Sequence, residues 1–263
     1  MSRLQGKCVV ITGASGGIGR ETAIRAACEG ARVVLLARSI DKLDELKRHL
    51  IEQYRTEAYA FRLDVADTTQ VKRIFAEIVA VAGEIDVLIN NAGFGVFKEA
   101  HEADLEETKA MFDVNVLGLI ACTQMVLPSM KRRKKGHIIN IASQAGKIAT
   151  PKSSVYSATK HAVLGYSNSL RLESMRDHVF VTTVNPGPIS TNFFNIADES
   201  GTYVKNVERF MLKPDYVADK IVSAIFTKRR EINLPGWMNL GSIFYTLFPR
   251  IVETVGKNAF FKK

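Results

Sequence analysis

The chain has only three cysteines in 263 residues, and this small, odd number argues against a disulfide framework. Cys8, Cys28 and Cys122 lie in apolar surroundings, and none is near a histidine at the spacing of metal ligands. We therefore expect three reduced, mostly buried thiols, and we predict no metal site.

The sequence also lacks an apolar signal segment, an internal repeat and a low-complexity linker. The first predicted strand begins near Lys7 and is needed for the fold, so we expect a cytoplasmic protein. With 263 residues, of which 46% are apolar, one α/β domain can carry the whole function. We assign residues 1–235 to this domain and residues 236–263 to a C-terminal tail.

Acidic residues are outnumbered by basic ones, and the formal net charge is +9. The densest basic run, residues 131–135, follows a helical pattern and precedes Gly136, so its cations complement the C-terminal end of a helix dipole. Because this run has no interleaved aromatic residues and no binding motif, we predict no nucleic-acid partner. Attraction to an anionic membrane surface or to an anionic substrate stays open.

Short apolar runs alternate with helical stretches, which predicts a doubly wound parallel sheet with helices on both faces. The seven predicted strands lie near residues 7–12, 32–37, 57–63, 86–90, 137–142, 179–185 and 231–234. In such α/β sheets the ligand lies beyond the carboxyl ends of the strands. Candidate functional residues fall at six of these ends, namely Gly13, Arg38, Asp64, Asn90, Ser143 and Pro186.

The first strand runs directly into a turn with glycines at positions 13, 17 and 19, followed by a helical pattern over residues 20–29. A strand, a tight glycine turn and a helix N-terminus form a dinucleotide pyrophosphate site. The backbone can approach the phosphates there, and the helix end supplies N–H donors. The spacing departs from the G-x-G-x-x-G fingerprint, so an ordinary strand-to-helix turn is the alternative.

The second strand ends at Ala37 and Arg38, where an NAD site usually places a carboxylate. Ala37 leaves no carboxylate to repel a 2′-phosphate, and Arg38 offers that phosphate a planar, permanently charged fork. Ser15 could add a hydroxyl donor. We predict NADP(H) as the cofactor, and a solvated arginine at the end of a strand is the alternative.

Tyr156 and Lys160 are four residues apart, so their side chains share one face of a helix. An exposed pair of this kind is commonplace, but here it occurs with the glycine loop and with Ser143, thirteen residues before Tyr156. A cation beside a phenol favours the phenolate, so we expect Lys160 to lower the pKa of Tyr156. Such a tyrosine exchanges a proton with a carbonyl or an alcohol near neutral pH, which indicates a hydride-transfer enzyme.

Over about residues 5–235 the chain closely resembles the short-chain dehydrogenase/reductase family, whose motifs occur here in order. Its four catalytic positions are matched by Asn115, Ser143, Tyr156 and Lys160. The predicted cofactor-binding residues are Gly13, Ser15, Gly17, Ile18, Gly19, Arg38, Asp64, Val65, Asn91, Ala92, Gly93, Tyr156, Lys160, Pro186, Gly187, Ile189 and Thr191. The resemblance implies a single-domain Rossmann fold, NAD(P)-dependent interconversion of carbonyls and alcohols, and a homodimer or homotetramer.

The resemblance also implies the role of each catalytic residue. Tyr156 is the general acid in reduction and the base in oxidation, and Lys160 lowers its pKa and bonds the nicotinamide ribose. Ser143 hydrogen-bonds the substrate oxygen as charge develops. Asn115 lies in the middle of a helical pattern and could hold a relay water. A buried asparagine that satisfies backbone groups is the alternative.

Residues 188–213 fall outside the strand–helix repeat and lie where a substrate lid would be. A plain surface excursion is the alternative. The segment contains several large apolar residues, which are Phe193, Phe194, Tyr203, Phe210 and Met211. We predict that the substrate contacts Phe94, Ala145, Phe193 and Phe194, in an apolar pocket that Val96 and Phe97 could extend.

The tail contains an apolar stripe at helical spacing, formed by Leu240, Ile243, Phe244, Leu247, Phe248, Ile251, Val252 and Val255. Pro249 fits a first helical position, so we expect two short helices with a break there. The tail is too short and too polar between its charges to span a bilayer. We expect the stripe to pack on its own domain or on a sister subunit. A membrane-surface contact, aided by Lys257, Lys262 and Lys263, or a place at the substrate mouth is the alternative.

The tail also bears on the substrate. Ketoacyl-carrier-protein reductases of the family typically end just past the last strand, whereas a longer C-terminus resembles the hydroxysteroid dehydrogenase relatives. We therefore predict reduction of a hydrophobic ketone or aldehyde, with a 3-ketoacyl thioester as the alternative substrate. A sensor or scaffold that binds NADP without turnover is a third hypothesis, and the complete set of four catalytic positions argues against it.

Overall fold

The computed structural model of the chain describes residues 2–198 and 201–260, with all of their side chains except those of residues 202 and 257–260. Its strands are β1 (Cys8–Thr12), β2 (Arg32–Ala37), β3 (Ala58–Arg62), β4 (Val87–Asn90), β5 (Gly136–Ile141), β6 (Val179–Pro186) and β7 (Glu231–Leu234). They form one sheet in the order β3-β2-β1-β4-β5-β6-β7, in which every neighbouring pair is parallel. The predicted doubly wound, seven-stranded sheet is confirmed.

Helices connect the strands and cover both faces of the sheet. They are α1 (Gly17–Cys28), α2 (Ile40–Tyr54), α3 (Thr68–Ala82), α4 (Leu105–Phe112), α5 (Leu119–Arg132), α6 (Ser154–Ser174), α7 (Phe194–Ala197), α8 (Thr202–Val207), α9 (Pro214–Ala224), α10 (Gly236–Leu247) and α11 (Pro249–Phe260). Helices α1, α2 and α9 bury their apolar faces on one side of the sheet, and α3, α5 and α6 bury theirs on the other.

Strand β1 shows how this sequence packs helices on both faces of the sheet. All five of its residues are buried. Side chains alternate along a strand, so Val9 and Ile11 join the cluster with α1 and α2, whereas Val10 joins the cluster with α3 and α5. A continuous apolar run is therefore needed to serve both layers, as is usual for buried parallel strands.

Helices α4 and α5 are joined by a π-helical segment, Asp113–Gly118, into one long helical stretch. This stretch, Leu105–Arg132, is long and apolar enough to cross a bilayer by length and composition, but half of its most apolar window is buried in the domain. Gly118 packs tightly against the chain that follows β3, since a Cβ there would come within 2.7 Å of the Val65 carbonyl oxygen. The apolar composition of the stretch therefore fits a core helix.

The run of cations at residues 131–135 lies at the C-terminal end of α5, as predicted. There Arg133 bonds to the carboxylates of Glu84 and Asp86, so part of the positive charge is already paired within the domain. The cysteines are not all alike, because Cys8 and Cys122 are buried whereas Cys28, the last residue of α1, is exposed.

Residues 188–213 leave the sheet after β6 and return before α9. The two ends of this segment pair with each other, because the Ser190 N–H donates to Leu212 O at 3.0 Å and the Leu212 N–H donates to Pro188 O at 2.9 Å. The closed base supports α7, α8 and a short 3₁₀ turn, Glu208–Phe210. Residues 199 and 200 of the predicted lid lie outside the described residues.

The tail forms the two predicted helices, α10 and α11, and the second begins at Pro249. Most of the stripe does not pack on its own domain, because Leu240, Phe244 and Leu247 are each more than half exposed. The other part of the expectation, packing on a sister subunit, stays a prediction. Among the residues of α10, Ser242 alone is buried within the described chain. The side chain of Lys257, as well as Lys262 and Lys263 as a whole, lies outside the described residues.

Candidate active site

The glycine turn after β1 brings the backbone unusually close to its neighbours. Gly13 and Gly17 have φ of 66° and 53°, a region that L side chains rarely adopt. A Cβ at Gly13 would lie 2.8 Å from Asn91 Nδ2, and one at Gly19 would collide with the Gly13 carbonyl oxygen. The glycines therefore let the end of β1, the start of α1 and the end of β4 meet in a space that side chains would fill.

The N-terminus of α1 opens into this turn. Gly16 occupies the N-cap position, and among the described residues no side chain caps the first N–H groups of the helix. The first turn of α1 also has no acidic side chain. Uncapped N–H groups at the positive end of the helix dipole are suited to an anion such as a phosphate.

The segment after β4 is locked to the end of β1. The hydroxyl of Thr12 accepts the backbone N–H groups of Asn91 and Ala92, each at 3.0 Å. The Asn91 amide donates in return to the carbonyl oxygens of Thr12 and Gly13 at 2.9 and 3.0 Å. The predicted cofactor residue Asn91 therefore uses its side chain to fix the shape of the glycine turn.

The carboxyl ends of β2 and β3 form the next corner of the cleft. Arg38 follows β2 and is exposed, and Ser15 in the glycine turn is half-buried. The turn is tied to β2, because the Ala14 N–H donates to Leu36 O at 3.1 Å. On β3, Arg62 is the register partner of Ala37 and is also exposed. This corner thus presents two arginines, of which only Arg38 was predicted.

The remaining predicted cofactor residues complete the rim of the cleft. Asp64 is half-buried, and its Oδ1 accepts the Ala66 N–H at 3.0 Å. After β6, the Gly187 N–H donates to Leu234 O at 2.7 Å. The chain then crosses above the glycine turn, since a Cβ at Gly17 would lie 3.1 Å from Thr191 Cγ2. Thr191 therefore lies beside the glycine turn, while Pro186 is the last residue of β6 and Ile189 forms a bridge with Leu212.

Tyr156 and Lys160 lie in the first two turns of α6 and are both buried. The Lys160 ammonium lies 5.7 Å from the centroid of the Tyr156 ring and donates to Ile141 O at 3.0 Å. Ser143 lies two residues after β5, where its hydroxyl accepts the Ala145 N–H at 3.1 Å and donates to Pro186 O at 3.5 Å. It is also near enough to the Tyr156 phenol to act on the pKa of that group. The structure thus brings together the three residues for which proton-transfer roles are expected.

The predicted lowering of the Tyr156 pKa is wrong for this structure. Burial raises the pKa of Tyr156 to about 12, against the smaller opposing effect of the nearby Ser143 hydroxyl. Burial also lowers the pKa of Lys160 to about 8. Loss of hydration disfavours the charged form of both groups, and it is the largest cause of both shifts. The phenol is therefore protonated near neutral pH, and the ammonium is mostly charged.

Asn115 lies in the π-helical segment and is almost completely buried, with 1% of its surface exposed. Its Oδ1 accepts the Phe94 N–H at 3.0 Å, and its Nδ2 donates to Phe94 O at 2.8 Å and to Thr159 Oγ1 at 3.1 Å. The structure supports the interpretation of a buried asparagine that satisfies backbone groups. It anchors the segment after β4 to Thr159 of α6, the residue before Lys160.

Aromatic rings line the outer side of Tyr156. The rings of Phe97 and Phe193 lie 6.0 and 5.6 Å from the Tyr156 ring, measured between centroids. Phe194 is buried, and its ring makes tilted contacts with the rings of Phe97 and Tyr203, whose centroids are 6.4 and 5.5 Å away. Of the predicted substrate residues, Phe193 therefore lies at the phenol, whereas Phe194 supports the cluster from behind.

The short-chain dehydrogenase family model matches residues 7–200, a stretch that runs from β1 through the catalytic residues into the segment after β6. The chain belongs to the short-chain dehydrogenase/reductase family. It is therefore an oxidoreductase with a Rossmann-type fold.

Two curated members of this family illustrate the likeness. Dehydrogenase/reductase SDR family member 7B from Mus musculus is 33% identical over 267 residues, which cover 98% of this chain and 80% of the relative. An NADP-dependent 3-hydroxy acid dehydrogenase from Schizosaccharomyces pombe is 32% identical over 239 residues, covering 88% and 91% of the two chains. Among solved structures, the alcohol dehydrogenase of the archaeon Thermococcus sibiricus, complexed with 5-hydroxy-NADP, superposes with a TM-score of 0.80. It is 29% identical, with 88% and 96% of the two chains covered.

Several residues of this short-chain dehydrogenase/reductase site were not predicted. The buried hydroxyls of Thr12 and Thr159 accept hydrogen bonds from Asn91 and Asn115. The sequence signal for such residues is a polar side chain at the end of an apolar strand or within a buried helix turn. Phe97 was predicted to extend the substrate pocket, but its contact with the Tyr156 ring was not predicted. Tyr203 was predicted only as one of the aromatic residues of the lid. Their ring centroids are 5.3 Å apart, a contact between distant parts of the chain that no local pattern indicates.

Proposed function

We propose that this oxidoreductase uses NADP(H) to interconvert a carbonyl and an alcohol and that it reduces a hydrophobic ketone or aldehyde. The observation that supports it best is the buried Tyr156 phenol, which lies near Ser143 and is flanked by Lys160 on one side and by Phe97 and Phe193 on the other. This arrangement offers a proton donor, a hydrogen-bond donor for an oxygen, and an apolar wall for the substrate.

The residues of the cleft fit a dinucleotide. The uncapped N-terminus of α1 and the space kept open at Gly13 and Gly17 suit the pyrophosphate. Arg38 and Ser15 would hold a 2′-phosphate, with Arg62 as a second cation at the same corner.

The other predicted contacts fit the rest of the dinucleotide. Asp64 and Val65 would border the adenine, and Asn91, Ala92 and Gly93 would line the floor of the cleft. Pro186, Gly187, Ile189 and Thr191 would hold the nicotinamide, and Lys160 its ribose. When bound, the cofactor supplies the hydride in reduction and accepts it in oxidation.

In reduction, Tyr156 donates its phenolic proton to the substrate oxygen. The high pKa that burial gives this phenol keeps the proton in place at neutral pH, so the resting enzyme is prepared for reduction. The Ser143 hydroxyl, which lies near the phenol, would donate to the substrate oxygen as negative charge develops there. The Lys160 ammonium then stabilises the phenolate that remains.

A substrate panel tests this proposal. We expect the oxidation of NADPH, followed by absorbance, to be fastest with large apolar ketones or aldehydes. Small polar carbonyls should be slower, because the rings around Tyr156 offer them little contact. The Schizosaccharomyces pombe relative is named a 3-hydroxy acid dehydrogenase, so 3-oxo acids and 3-ketoacyl thioesters belong on the panel as the second candidate class. Cofactor binding without turnover on any member would instead support a sensor or scaffold.

A further inference from the structure

The tail exposes a large apolar surface on the described chain. Helix α10 contains no charged residue, and its Trp237, Leu240, Phe244 and Leu247 are between 57% and 63% exposed. The spacing of these four residues, three or four apart, places them on one face of the helix. In α11, Ile251 and Val255 are 62% and 82% exposed. We call these six residues, with Phe210, the tail surface.

The opposite face of α10 holds the helix on the domain. Gly187 lies against Met238, since a Cβ at Gly187 would come within 2.7 Å of the Met238 sulfur. Lys147, four residues after Ser143, donates a hydrogen bond to Asn239 Oδ1 at 3.5 Å. The inward side of α10 thus packs on the segments that form the site, and its apolar stripe faces away from them.

The tail surface continues onto the lid. The ring of Phe210, in the 3₁₀ turn of residues 188–213, lies 6.1 Å from the ring of Trp237. Phe210 is itself 56% exposed. Contiguous exposed apolar patches of this extent mark an interface with a protein or with a membrane.

Cations border the tail surface in both segments. The tail, residues 236–263, contains four lysines or arginines and one glutamate, a net charge of +3, whereas the lid, residues 188–213, contains three residues of each sign. Arg209, Lys213 and Arg250 are exposed beside the apolar residues. An apolar stripe bordered by cations matches the surface of an anionic bilayer, which offers acyl chains below its headgroups and negative charge among them.

The charge also distinguishes a bilayer from a second copy of the chain. A twofold dimer places the same patch of each subunit against the other. Two copies of this surface would bring like charges together, which disfavours association. An anionic bilayer instead gains from both the apolar area and the cations.

We propose that the tail surface binds an anionic lipid bilayer, with α10 and α11 lying in the plane of the interface. Phe210 is part of this surface, so a bound enzyme would hold its lid at the bilayer. The proposal concerns lipid binding and stands independently of the reaction that the site catalyses.

Co-sedimentation of the full chain with vesicles tests the proposal. We expect the protein to pellet with vesicles of phosphatidylcholine containing about 30% phosphatidylserine, and to pellet less with phosphatidylcholine alone or in high salt. The variant Leu240→Gln/Phe244→Gln should weaken partitioning by at least about tenfold, because it removes two large apolar side chains from the surface. Arg209→Gln/Lys213→Gln should weaken binding to the anionic vesicles alone.

The matched control is Leu105→Gln/Leu172→Gln, which removes two leucines that are 81% and 67% exposed outside the tail. It should pellet like the unmodified chain, and thermal melts should show that all variants are folded. The proposal is overturned if the unmodified chain stays in the supernatant with both kinds of vesicle. It is also overturned if the control loses binding equally. A third contrary result would be a Leu240→Gln/Phe244→Gln variant with a lower molar mass in light scattering but unchanged sedimentation with vesicles. That result would show that the tail surface binds a second copy of the chain.

Discussion

Lys160 donates a hydrogen bond from its buried ammonium to the backbone carbonyl of Ile141 at 3.0 Å. Ile141 is the last residue of β5, two positions before Ser143. This bond therefore ties the cation to the strand end from which the substrate-side hydroxyl extends. An ammonium has three N–H donors, and this is its one hydrogen bond among the described residues, so two donors remain for a ligand.

The burial of Lys160 predicts a pH limit for reduction. Because its pKa is lowered to about 8, the side chain is charged below that pH and becomes neutral as the pH rises through it. The neutral amine stabilises a phenolate poorly, so we expect kcat/KM for carbonyl reduction to be level near pH 7 and to fall above about pH 8. The phenol does not set this limit, since Tyr156 stays protonated until about pH 12.

The measurement is a pH profile of kcat/KM, which reports the free enzyme. Lys160→Gln should be slow at every pH and should lack the fall near pH 8. A profile of the Lys160→Gln variant with the same limb would show that another group titrates there.

Tyr156→Phe tests the proton donor. The change deletes only the phenolic oxygen from a buried ring, so the packing against Phe97 and Phe193 is kept. We expect turnover to drop by a factor of about 10²–10⁴, the usual contribution of general acid–base catalysis. NADPH binding, followed by fluorescence, and the thermal midpoint should change little.

The matched control is Tyr166→Phe, the same substitution on the same helix. Tyr166 is partly buried in α6 and lies near Thr123, away from the catalytic cluster. This variant should retain activity within about tenfold of the unmodified enzyme, since a single lost hydrogen bond has a modest effect. Equal losses in the two variants would assign the effect of Tyr156→Phe to structure.

Arg38→Asp should reverse the cofactor preference. A carboxylate repels a 2′-phosphate and can accept a hydrogen bond from a 2′-hydroxyl, whereas the guanidinium does the opposite. We expect NADPH binding to weaken by about tenfold to a hundredfold, as for the loss of a charged hydrogen bond, and NADH binding to improve. Arg62→Gln should weaken NADPH binding to a smaller degree, because Arg62 lies at the same corner.

Calorimetric titration of both cofactors measures these effects, and Arg48→Asp makes the same charge change at an exposed position of α2. That control should leave the ratio of the two affinities unchanged. Equal affinity of the unmodified chain for NADH and NADPH would refute the preference itself.

The sequence was sufficient to predict the parts of the site that lie at strand ends. Buried parallel strands are mostly apolar, so the residue at which glycine follows an apolar run marks the carboxyl end, as at Gly13 after β1. The catalytic pair was predictable because helical spacing alone brings Tyr156 and Lys160 to one face. These features depend on local order, which a sequence displays directly.

Other features depend on contacts between distant segments. The pKa of Tyr156 is set by how completely the lid and the segment after β4 bury it, so a local pair gave the wrong sign. The ring contact between Phe97 and Tyr203 joins two loops that share no pattern. The tail shows the same limit, because periodicity predicted its two helices and their break but not which surface the stripe at Leu240 and Phe244 faces.

His137 predicts how stability depends on pH. Its ring is fully buried in β5, where Nδ1 accepts the Phe226 N–H at 2.9 Å and Nε2 lies 2.9 Å from Thr182 Oγ1. Burial lowers the pKa of His137 from its ordinary value of 6.5 to about 3. The folded chain therefore keeps this ring neutral at pH values where the unfolded chain protonates it.

The stabilisation is fully present above pH 6.5 and is lost as the pH falls toward 3, because the unfolded state binds a proton that the folded state does not. The free energy of unfolding should decrease by up to about 1.4 kcal/mol for each pH unit in this window from His137 alone. Urea denaturation between pH 7 and 5 measures how the free energy of unfolding changes with pH. This pH range lies above the ordinary pKa of carboxylates. His137→Gln should be less stable at pH 7 but should show a flatter slope, whereas the exposed His49→Gln should keep the original one. An unchanged slope in His137→Gln would show that the ring does not control the acid sensitivity of the fold.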